Sequence, residues 1–323
     1  MGDCVLKKIA VLTRDCAGVN AALRAVVRTA CQHNIEVLGV LRGYDGLIDG
    51  HFLPLSPRSV SGIINLGGTV LKTSRSARFL TAAGQQQGVE NIKRHGIEGL
   101  IVIGGDGSLR GAHVLAMKAK IPVIGIPATI DNDITGVDQS IGADTAVNVA
   151  LDALDKIRDT ATSLERIFIV EVMGRESGSI AMQVALAGGC EEVLLPERAS
   201  NIERMCQEIE IGNKKGKVSW IIIVAEGRAH AQDIASLITN KTGFETRVVV
   251  LGHVQRGGRP TAIDRILAAR LGNYAVEELR KGRTDVCVGL RHDAFVLVPL
   301  KIAMKPKKMN VTGSYRLLKI LSA

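Results

Sequence analysis

Residues 102–108 have the sequence VIGGDGS, in which an apolar segment enters three glycines and an aspartate just before a helical pattern. In an α/β sheet, a strand ends and a helix begins at such a place. Glycines let the backbone approach phosphate oxygens, the helix N-terminus offers free N–H groups, and Asp106 can hold Mg²⁺. The segment predicts a phosphate-binding loop. A simple glycine turn with Asp106 as a helix cap is the alternative.

Similar β-branched segments alternate with helical ones along the chain. The strand-like segments are KKIAVLT, IEVLGVL, GLIVIGG, PVIGIPAT, RIFIVEVMG, WIIIVAEG, RVVVLGHV and FVLVPL. They predict buried parallel strands joined by right-handed crossovers, with ligands at the carboxyl ends of the strands. After Pro260 a helix is predicted, and its expected apolar face is formed by Ile263, Ile266, Leu267, Leu271 and Tyr274. The pattern indicates an α/β fold.

The strand that follows the glycine loop ends in PATIDNDI, residues 127–134, which places Asp131 and Asp133 on either side of Asn132. Neighbouring strand ends lie side by side in an open sheet, so these carboxylates are expected near the glycine loop. Carboxylates repel phosphate. Their presence is explained if a metal bridges the two groups or if a carboxylate removes a proton from an attacking hydroxyl. Ordinary turn and cap roles for Asp-Asn-Asp remain the alternative.

The charge balance indicates an anionic partner. The formal net charge is +9, whereas aromatic residues make up only 3% of the chain, so bases would find few side chains to stack on. We therefore expect a small phosphorylated ligand and no nucleic acid. No GxGxxG follows a strand, which disfavours a dehydrogenase. Basic residues at strand ends suit phosphate recognition, namely Arg75, Arg166, Arg175, Arg247, His253 and Arg256.

The six cysteines contain no CxxC pair and have no local histidine cluster, which argues against a zinc site and against a disulfide framework. They are expected to be reduced. No segment approaches the roughly 18 apolar residues of a membrane span, and the first residues do not resemble a signal peptide. We therefore expect a cytoplasmic protein without a membrane partner.

Seven segments together resemble the bacterial-type ATP-dependent 6-phosphofructokinases over nearly the whole chain: IGGDGS, PATIDNDI, EVMGRESG, AGGCEEVLLPE, VAEG, ETRVVVLGHVQRGG and AARLGNYAVE. The Gly-Gly-Asp-Gly loop alone is shared with NAD kinases, whereas TIDND and MGR are typical of phosphofructokinases. The resemblance implies Mg²⁺- and ATP-dependent phosphorylation of the C1 hydroxyl of fructose 6-phosphate, the committed step of glycolysis.

The resemblance also implies two Rossmann-like three-layer α/β/α lobes with mainly parallel sheets. The larger lobe, expected at residues 1–142 and 255–305, would bind ATP and Mg²⁺. The smaller lobe, expected at residues 143–254 and 306–323, would bind fructose 6-phosphate.

Residue roles follow from the same resemblance. Asp131 is implied as general base, supported by Thr129 and Asp133, with Arg75 and Arg175 stabilising the transferred phosphoryl group and Asp106 holding Mg²⁺. The implied ATP-binding residues are Thr13, Asp15, Tyr44, Arg75, Gly105, Asp106, Gly107 and Ser108. The implied sugar-phosphate residues are Thr129, Asp131, Arg166, Met173, Gly174, Arg175, Glu226, Arg247, His253 and Arg256. Arg166 and Arg247 would reach the 6-phosphate from a neighbouring subunit of a homotetramer.

An effector site for ADP- or phosphoenolpyruvate-type ligands is implied between subunits, at Arg24, Arg28, Arg158, Glu191, Lys215 and Lys217. A solvated lysine turn is the alternative for KKGK. Pyrophosphate-dependent relatives usually carry Asp at the position of Gly107 and Lys at that of Ala128, so the small residues here favour ATP.

The first strand departs from the family pattern. The family has Thr-Ser-Gly-Gly-Asp-x-x-Gly, whose glycines wrap the terminal phosphates of ATP, whereas this chain has LTRDCAGVN. Thr13, Asp15, Gly18 and Asn20 align, but two residues are missing and Arg14 stands in place of Ser-Gly-Gly. A weakly active or inactive paralogue that acts as a regulatory subunit is therefore a second interpretation. Pyrophosphate dependence is a third and less favoured one.

Overall fold

The computed structural model describes residues 6–217, 219–307 and 309–322. Within these ranges the helices and strands are, in chain order, β1 (Lys8–Thr13), α1 (Val19–Gln32), β2 (Glu36–Val40), α2 (Gly43–Asp49), β3 (Phe52–Leu55), α3 (Ala82–Arg94), β4 (Gly99–Gly104), α4 (Asp106–Ala119), β5 (Val123–Pro127), α5 (Ala143–Leu164), β6 (Ile167–Val172), α6 (Ser179–Ala187), β7 (Glu192–Leu194), α7 (Ile202–Lys214), β8 (Trp220–Ala225), α8 (Ala231–Thr242), β9 (Thr246–Val250), α9 (Ala262–Arg280), β10 (Val286–Arg291), β11 (Ala294–Pro299), α10 (Leu300–Ala303) and α11 (Thr312–Leu321). Short 3₁₀ helices lie at Arg78–Leu80 and Gly252–Arg256.

The described residues divide into two compact units. Unit 1 comprises residues 6–145 and 256–307, and unit 2 comprises residues 146–255 and 309–322. Unit 1 contains a sheet with strand order β11-β10-β5-β4-β1-β2-β3. Strands β4 and β5 are buried over their whole length, as expected for parallel strands covered on both faces. Because β4 and β5 are parallel neighbours, the glycine loop and the PATIDNDI segment follow them at the same end of the sheet.

Unit 2 contains a smaller sheet with strand order β7-β8-β6-β9, in which all neighbouring strands are parallel. Val172 at the end of β6 pairs with Ala225 at the end of β8, so the segments that follow the two strands start at the same level of the sheet. The apolar core on one face of this sheet includes Ile169, Ile222 and Val224. The carboxyl ends of all four strands therefore lie at the same end of this sheet.

One sequence prediction about the strands is wrong, and three strands were missed. The segment FVLVPL forms β11, but β11 pairs antiparallel with β10, because the two strands are joined by a tight turn at His292 and Asp293, whose φ angles are 50° and 60°. Strands β3, β7 and β10 were not predicted, and β3 is also antiparallel to its neighbour. Both antiparallel strands lie at edges of the sheet in unit 1, so the architecture remains mainly parallel.

The predicted apolar face of α9 is also partly wrong. Ile263 and Ile266 are 53% and 60% exposed, whereas Asp264 between them has 0% exposure. The carboxylate of Asp264 accepts hydrogen bonds from the backbone N–H groups of Gly142 and Thr145, both at 2.8 Å. These bonds satisfy the buried charge, so the helix turns its acidic side inward and leaves the two isoleucines exposed.

Among the described residues, no helix combines the length and the hydropathy that a bilayer crossing needs.

Candidate active site

The glycine loop joins β4 directly to α4. A Cβ atom on Gly104 would lie 2.5 Å from Ser108 Oγ, and one on Gly105 would lie 3.3 Å from Thr129 Cβ, so Gly104 has no room for a side chain and Gly105 has little. At Gly107, by contrast, a Cβ atom would meet no described atom within 4 Å outside its own helix turn. The first turn of α4 therefore has open space beside it, where its free N–H groups can meet an anion.

Asp106 is the carboxylate that the first turn of α4 presents. Its side chain is about one-third exposed, and Arg110, one turn further along the helix, places Nη2 at 3.6 Å from Asp106 Oδ2. Across the described ranges, His, Cys, Asp and Glu side chains form no group of three or more that could hold a metal. One accessible carboxylate fits Mg²⁺, which usually takes one or two carboxylates and leaves its other positions to phosphates and water.

The end of β5 lies beside this loop. The N–H of Ala128 donates to the Gly104 carbonyl at 3.1 Å, which ties the two strand ends together. The N–H of Asp131 donates to Thr129 Oγ1 at 3.2 Å, and Asp131 is only 6% exposed. The structure thus brings a nearly buried carboxylate and a hydroxyl next to the glycine loop, which is an arrangement suited to proton removal near bound phosphate.

Asn132, between the two aspartates, shapes the loop. Its φ angle is 50°, in the left-handed region that asparagine tolerates better than most residues. Its Oδ1 accepts hydrogen bonds from Ser140 N–H at 2.9 Å and Ser140 Oγ at 3.2 Å, and its Nδ2 donates to the Asp138 carbonyl at 3.2 Å. The hydrogen bonds of Asn132 therefore hold residues 132–140 in a folded loop.

A cation that was not predicted as a site residue lies near this loop. Lys307 Nζ donates to the carbonyls of Val137 at 2.9 Å and Asp138 at 3.2 Å. Burial lowers the pKa of Lys307, while the charges of Asp138 and Asp133 raise it. Lys307 thus holds the loop that contains Asp133 and partly balances its charge. Its position far along the chain from this loop left no local signal in the sequence.

The end of β1 carries the shortened loop. Thr13 is fully buried and its Oγ1 lies 2.7 Å from Thr69 Oγ1, whereas Asp15 is exposed. Gly18 has a φ angle of 92° and precedes α1, where a Cβ would lie 2.7 Å from Ile141 Cγ2. Arg14 leaves the strand with its N–H bonded to the Ile103 carbonyl at 3.0 Å. The loop therefore keeps close to the glycine loop of β4.

Tyr44 supports the glycine loop from inside unit 1. Its hydroxyl donates to the Ser108 carbonyl at 2.5 Å, and its ring stacks on Phe79 with centroids 4.1 Å apart. Burial raises the pKa of Tyr44. Among the residues implied for ATP, Tyr44 is therefore one whose hydroxyl is already engaged with the loop backbone.

In unit 2, the loop after β6 is fastened by two side chains. Glu226 Oε1 accepts the N–H groups of Gly174 at 3.2 Å and Arg175 at 2.9 Å, and Gln255 Oε1 accepts that of Met173 at 2.8 Å. Gln255 is 1% exposed and was not predicted as a site residue. Met173, Gly174, Arg175 and Glu226 thus lie together, while His253 is exposed on the 3₁₀ helix Gly252–Arg256.

Arg166 and Arg247 are brought together by an acid that was not predicted as a site residue. Glu245 pairs with Arg166 Nε at 2.7 Å through Oε2 and with Arg247 Nη2 through Oε1. The two arginines start the neighbouring strands β6 and β9, which explains their proximity. A bound phosphate would compete with Glu245 for both guanidinium groups.

The residues of unit 2 implied for an effector are partly clustered. Lys217 Nζ lies 3.4 Å from Glu191 Oε1, and Glu191 Oε2 accepts the N–H of Ile221 at 2.7 Å. Arg158 donates to the carbonyls of Gly188 and Gly189, just before Glu191. Lys215 is exposed after α7. Arg24 and Arg28 lie one turn apart on α1, in unit 1.

The fold and these strand-end groups define a class, that of α/β proteins built to transfer phosphoryl groups. A phosphofructokinase family model matches residues 8–279, and the chain belongs to this family. The family and fold expected from the sequence are confirmed.

The relatives cover nearly the whole chain. Proteins named ATP-dependent 6-phosphofructokinase from Thermotoga petrophila and Thermotoga neapolitana are 50% and 49% identical over 319 residues, which is 98% of this chain and 100% of each relative. The relative of the same name from Brevibacillus brevis is 49% identical over 319 residues, with the same coverage.

Solved structures show the same fold. The phosphofructokinase from Saccharomyces cerevisiae superposes with a TM-score of 0.87 at 32% identity, covering 98% of this chain and 47% of the yeast chain. A pyrophosphate-dependent phosphofructokinase from Marinobacter aquaeolei gives a TM-score of 0.85 at 23% identity, covering 98% of this chain and 92% of that one. The second likeness concerns the fold alone.

Proposed function

We propose that this chain is an ATP-dependent 6-phosphofructokinase, which transfers the terminal phosphoryl group of ATP to the C1 hydroxyl of fructose 6-phosphate. The observation that carries the proposal is the match of 98% of the chain to relatives named for this activity. The glycine loop and the buried carboxylate at adjoining strand ends of unit 1 supply groups that such a transfer needs.

Asp131 is the proposed proton acceptor. Its carboxylate would take the proton of the attacking hydroxyl as the bond to phosphorus forms, and Thr129 Oγ1 fixes the backbone of Asp131. Asp133, held with its loop by Asn132 and Lys307, is proposed to support this site. Arg75 is proposed to stabilise the charge on the transferred group.

The nucleotide phosphates are proposed to lie along the first turn of α4, at Gly105, Gly107 and Ser108. Asp106 would hold Mg²⁺, which when bound neutralises charge on the donor phosphates. The open space beside Gly107 and the small side chain of Ala128 support ATP rather than pyrophosphate as donor.

Several finer assignments are proposals as well. In unit 2, Met173, Glu226 and His253 would contact the sugar, with Arg175 beside them. Arg166 and Arg247, both paired with Glu245, would bind the 6-phosphate of the sugar held by a neighbouring subunit. This contact requires an oligomer, and we propose a homotetramer. The Arg158–Glu191–Lys217 cluster would bind a phosphorylated effector. We place the protein in the cytoplasm, where glycolysis runs.

Two measurements on the purified protein test the activity. Steady-state turnover of fructose 6-phosphate is measured with MgATP and, in parallel, with Mg²⁺ and pyrophosphate, and sugar-phosphate binding is measured by calorimetry. We expect turnover with ATP and little with pyrophosphate. Binding of fructose 6-phosphate without turnover by either donor would instead support the regulatory-subunit interpretation.

A further inference from the structure

Arg14 replaces the glycines of the family's first phosphate loop, and its side chain has a defined position. The side chain runs along the glycine loop, since a Cβ on Gly104 would lie 2.9 Å from Arg14 Cγ. Its guanidinium Nη1 then donates to Thr73 Oγ1 at 3.2 Å and to the carbonyl of Ser74. The residue that interrupts the family pattern is thus bonded to the segment just before Arg75.

That segment depends on side chains for its shape. Residues 72–76 form neither helix nor strand. Besides the bonds from Arg14, Ser74 Oγ donates to Asp45 Oδ2 at 2.5 Å and Ser76 Oγ donates to Asp45 Oδ1. Arg75 lies between these anchors, is exposed, and has no hydrogen-bond or ion-pair partner within the described ranges. The backbone on both sides of Arg75 is therefore anchored, while its guanidinium remains available to a ligand.

The electrostatic surroundings of Arg14 suit an anion. Burial lowers the pKa of Arg14, and the positive charges of Arg256 and Arg75 lower it further, while Asp15 and Tyr44 raise it. Its hydrogen-bond acceptors are a hydroxyl and a carbonyl, and no carboxylate of the described chain forms an ion pair with it. The guanidinium charges of Arg14, Arg75 and Arg256 thus lie close enough to repel one another, with Asp15 opposing them in part, and a polyphosphate would supply further negative charge.

We propose that Arg14 is a positioning residue of the phosphoryl-transfer reaction, which fixes residues 73–74 so that Arg75 faces the transferred group. The inference rests on the proposed function and makes it specific to this chain. Arg14 acts through Arg75, and the shortened loop is in this view a working substitute for the family's glycines rather than a sign of inactivity.

A double-mutant cycle tests this coupling. Arg14→Met keeps an unbranched apolar stem but removes the guanidinium donors, and we expect kcat to fall about 10- to 100-fold, because misplacement of a catalytic group by about 1 Å can cost about 10²-fold. The KM for fructose 6-phosphate and the thermal midpoint should stay near wild type. If Arg14 acts through Arg75, adding Arg14→Met to Arg75→Met should cost less than about twofold more. Additive losses would overturn the proposal, as would wild-type kinetics of Arg14→Met.

Two further variants separate the hydrogen-bond fork from charge alone. Arg14→Lys retains a positive charge but cannot offer the planar fork of donors, so it should remain impaired; full activity would refute positioning by the guanidinium. Thr73→Val removes one acceptor and should lower kcat in the same direction by a smaller factor. It decides the question if Arg14→Met does not fold, and wild-type kinetics of Thr73→Val would then count against the proposal.

A matched control and a binding measurement complete the test. Arg270→Met removes another arginine of unit 1, whose guanidinium bonds Asp293 and not Thr73 or Ser74. This variant should leave kcat unchanged. If the wild-type protein shows no ATP-dependent turnover, the proposed function fails. The cycle of residues 14 and 75 is then measured on ATP binding by calorimetry, where coupled losses support the role of Arg14 and additive losses refute it.

Discussion

Replacing Asp131 by asparagine removes the proposed proton acceptor with almost no change in side-chain volume. General-base catalysis typically contributes about 10²- to 10⁴-fold, or about 2.7–5.4 kcal/mol of transition-state stabilisation. Asp131 is only 6% exposed, so bulk water has poor access to the place of the lost carboxylate. We therefore expect the upper part of the range, a fall in kcat of about 10³- to 10⁴-fold.

The assay separates chemistry from binding and folding. Turnover is followed in a coupled assay at saturating ATP and fructose 6-phosphate, and the affinities for both are measured by calorimetry. Affinity for the sugar phosphate should change little, because Met173, Glu226 and His253 are retained and Asn at position 131 can still form a hydrogen bond with a sugar hydroxyl. The thermal midpoint should also stay close to wild type, since Asn can occupy the same space and the Asp131 N–H bond to Thr129 is unaffected.

Asp138→Asn serves as the matched control. It exchanges the same residue types in the same loop, and Asn can still accept the hydrogen bond that Asp138 Oδ2 receives from the His292 N–H at 2.6 Å. This variant should turn over normally. Turnover of Asp131→Asn within about tenfold of wild type would refute the assignment of the base. A loss of kcat accompanied by an equal loss of sugar-phosphate affinity would refute the reasoning as well, because it would indicate general damage to the site.

Three further predictions concern the loops around the site. Asp45→Ala should destabilise the protein above about pH 4 but much less below it. Hydrogen bonds from Ser74 and Ser76 lower the pKa of Asp45, and a lowered pKa adds stability above the unfolded value of about 3.9 that is lost as the pH falls. Urea unfolding at several pH values checks this, and a difference in unfolding free energy that does not change with pH contradicts it. Gly142→Ala should lower the free energy of unfolding by more than about 1 kcal/mol, because Gly142 has a φ of 97° and the new Cβ would lie 2.1 Å from Cys16 Sγ. An unchanged thermal midpoint would contradict this and show that the loop relaxes. Gly107→Asp should fold normally, since the space beside Gly107 is open, yet raise the KM for ATP at least about tenfold by charge repulsion with phosphate, and an unchanged KM would move the nucleotide away from this loop.

Local patterns in the chain were sufficient to predict the buried strands of the site. The segments that form β4 and β5 are short, rich in β-branched residues and bounded by glycine or proline, so both their type and their ends could be predicted. Strand direction could not be predicted in the same way. Direction depends on the connection, and the turn at His292 and Asp293 that makes β11 antiparallel lacks the Asn-Gly or Asp-Gly signal of such hairpins.

Helix orientation shows a similar limit. The spacing after Pro260 predicted α9, but a buried hydrogen-bonded aspartate outweighed two isoleucines in deciding which side faces inward. The spacing of apolar residues predicts a helix face from hydropathy alone. It cannot show whether backbone N–H groups from distant residues will form hydrogen bonds with a buried carboxylate. Ile263 and Ile266 were therefore assigned to the wrong face of the helix.

The amino-acid sequence by itself determined the family, the mainly parallel α/β fold and the ends of β4 and β5 at which glycines and acids lie, because these depend on local backbone preferences and on the residues of the motifs. Only the tertiary structure decided which groups meet, as when Gln255 bonds Met173 across 82 residues of chain and Arg14 bonds Thr73 across 59. Such partners depend on the packing of segments that are far apart in the chain. A pattern along one sequence therefore specifies that Arg14 is unusual, while the structure specifies what its guanidinium holds.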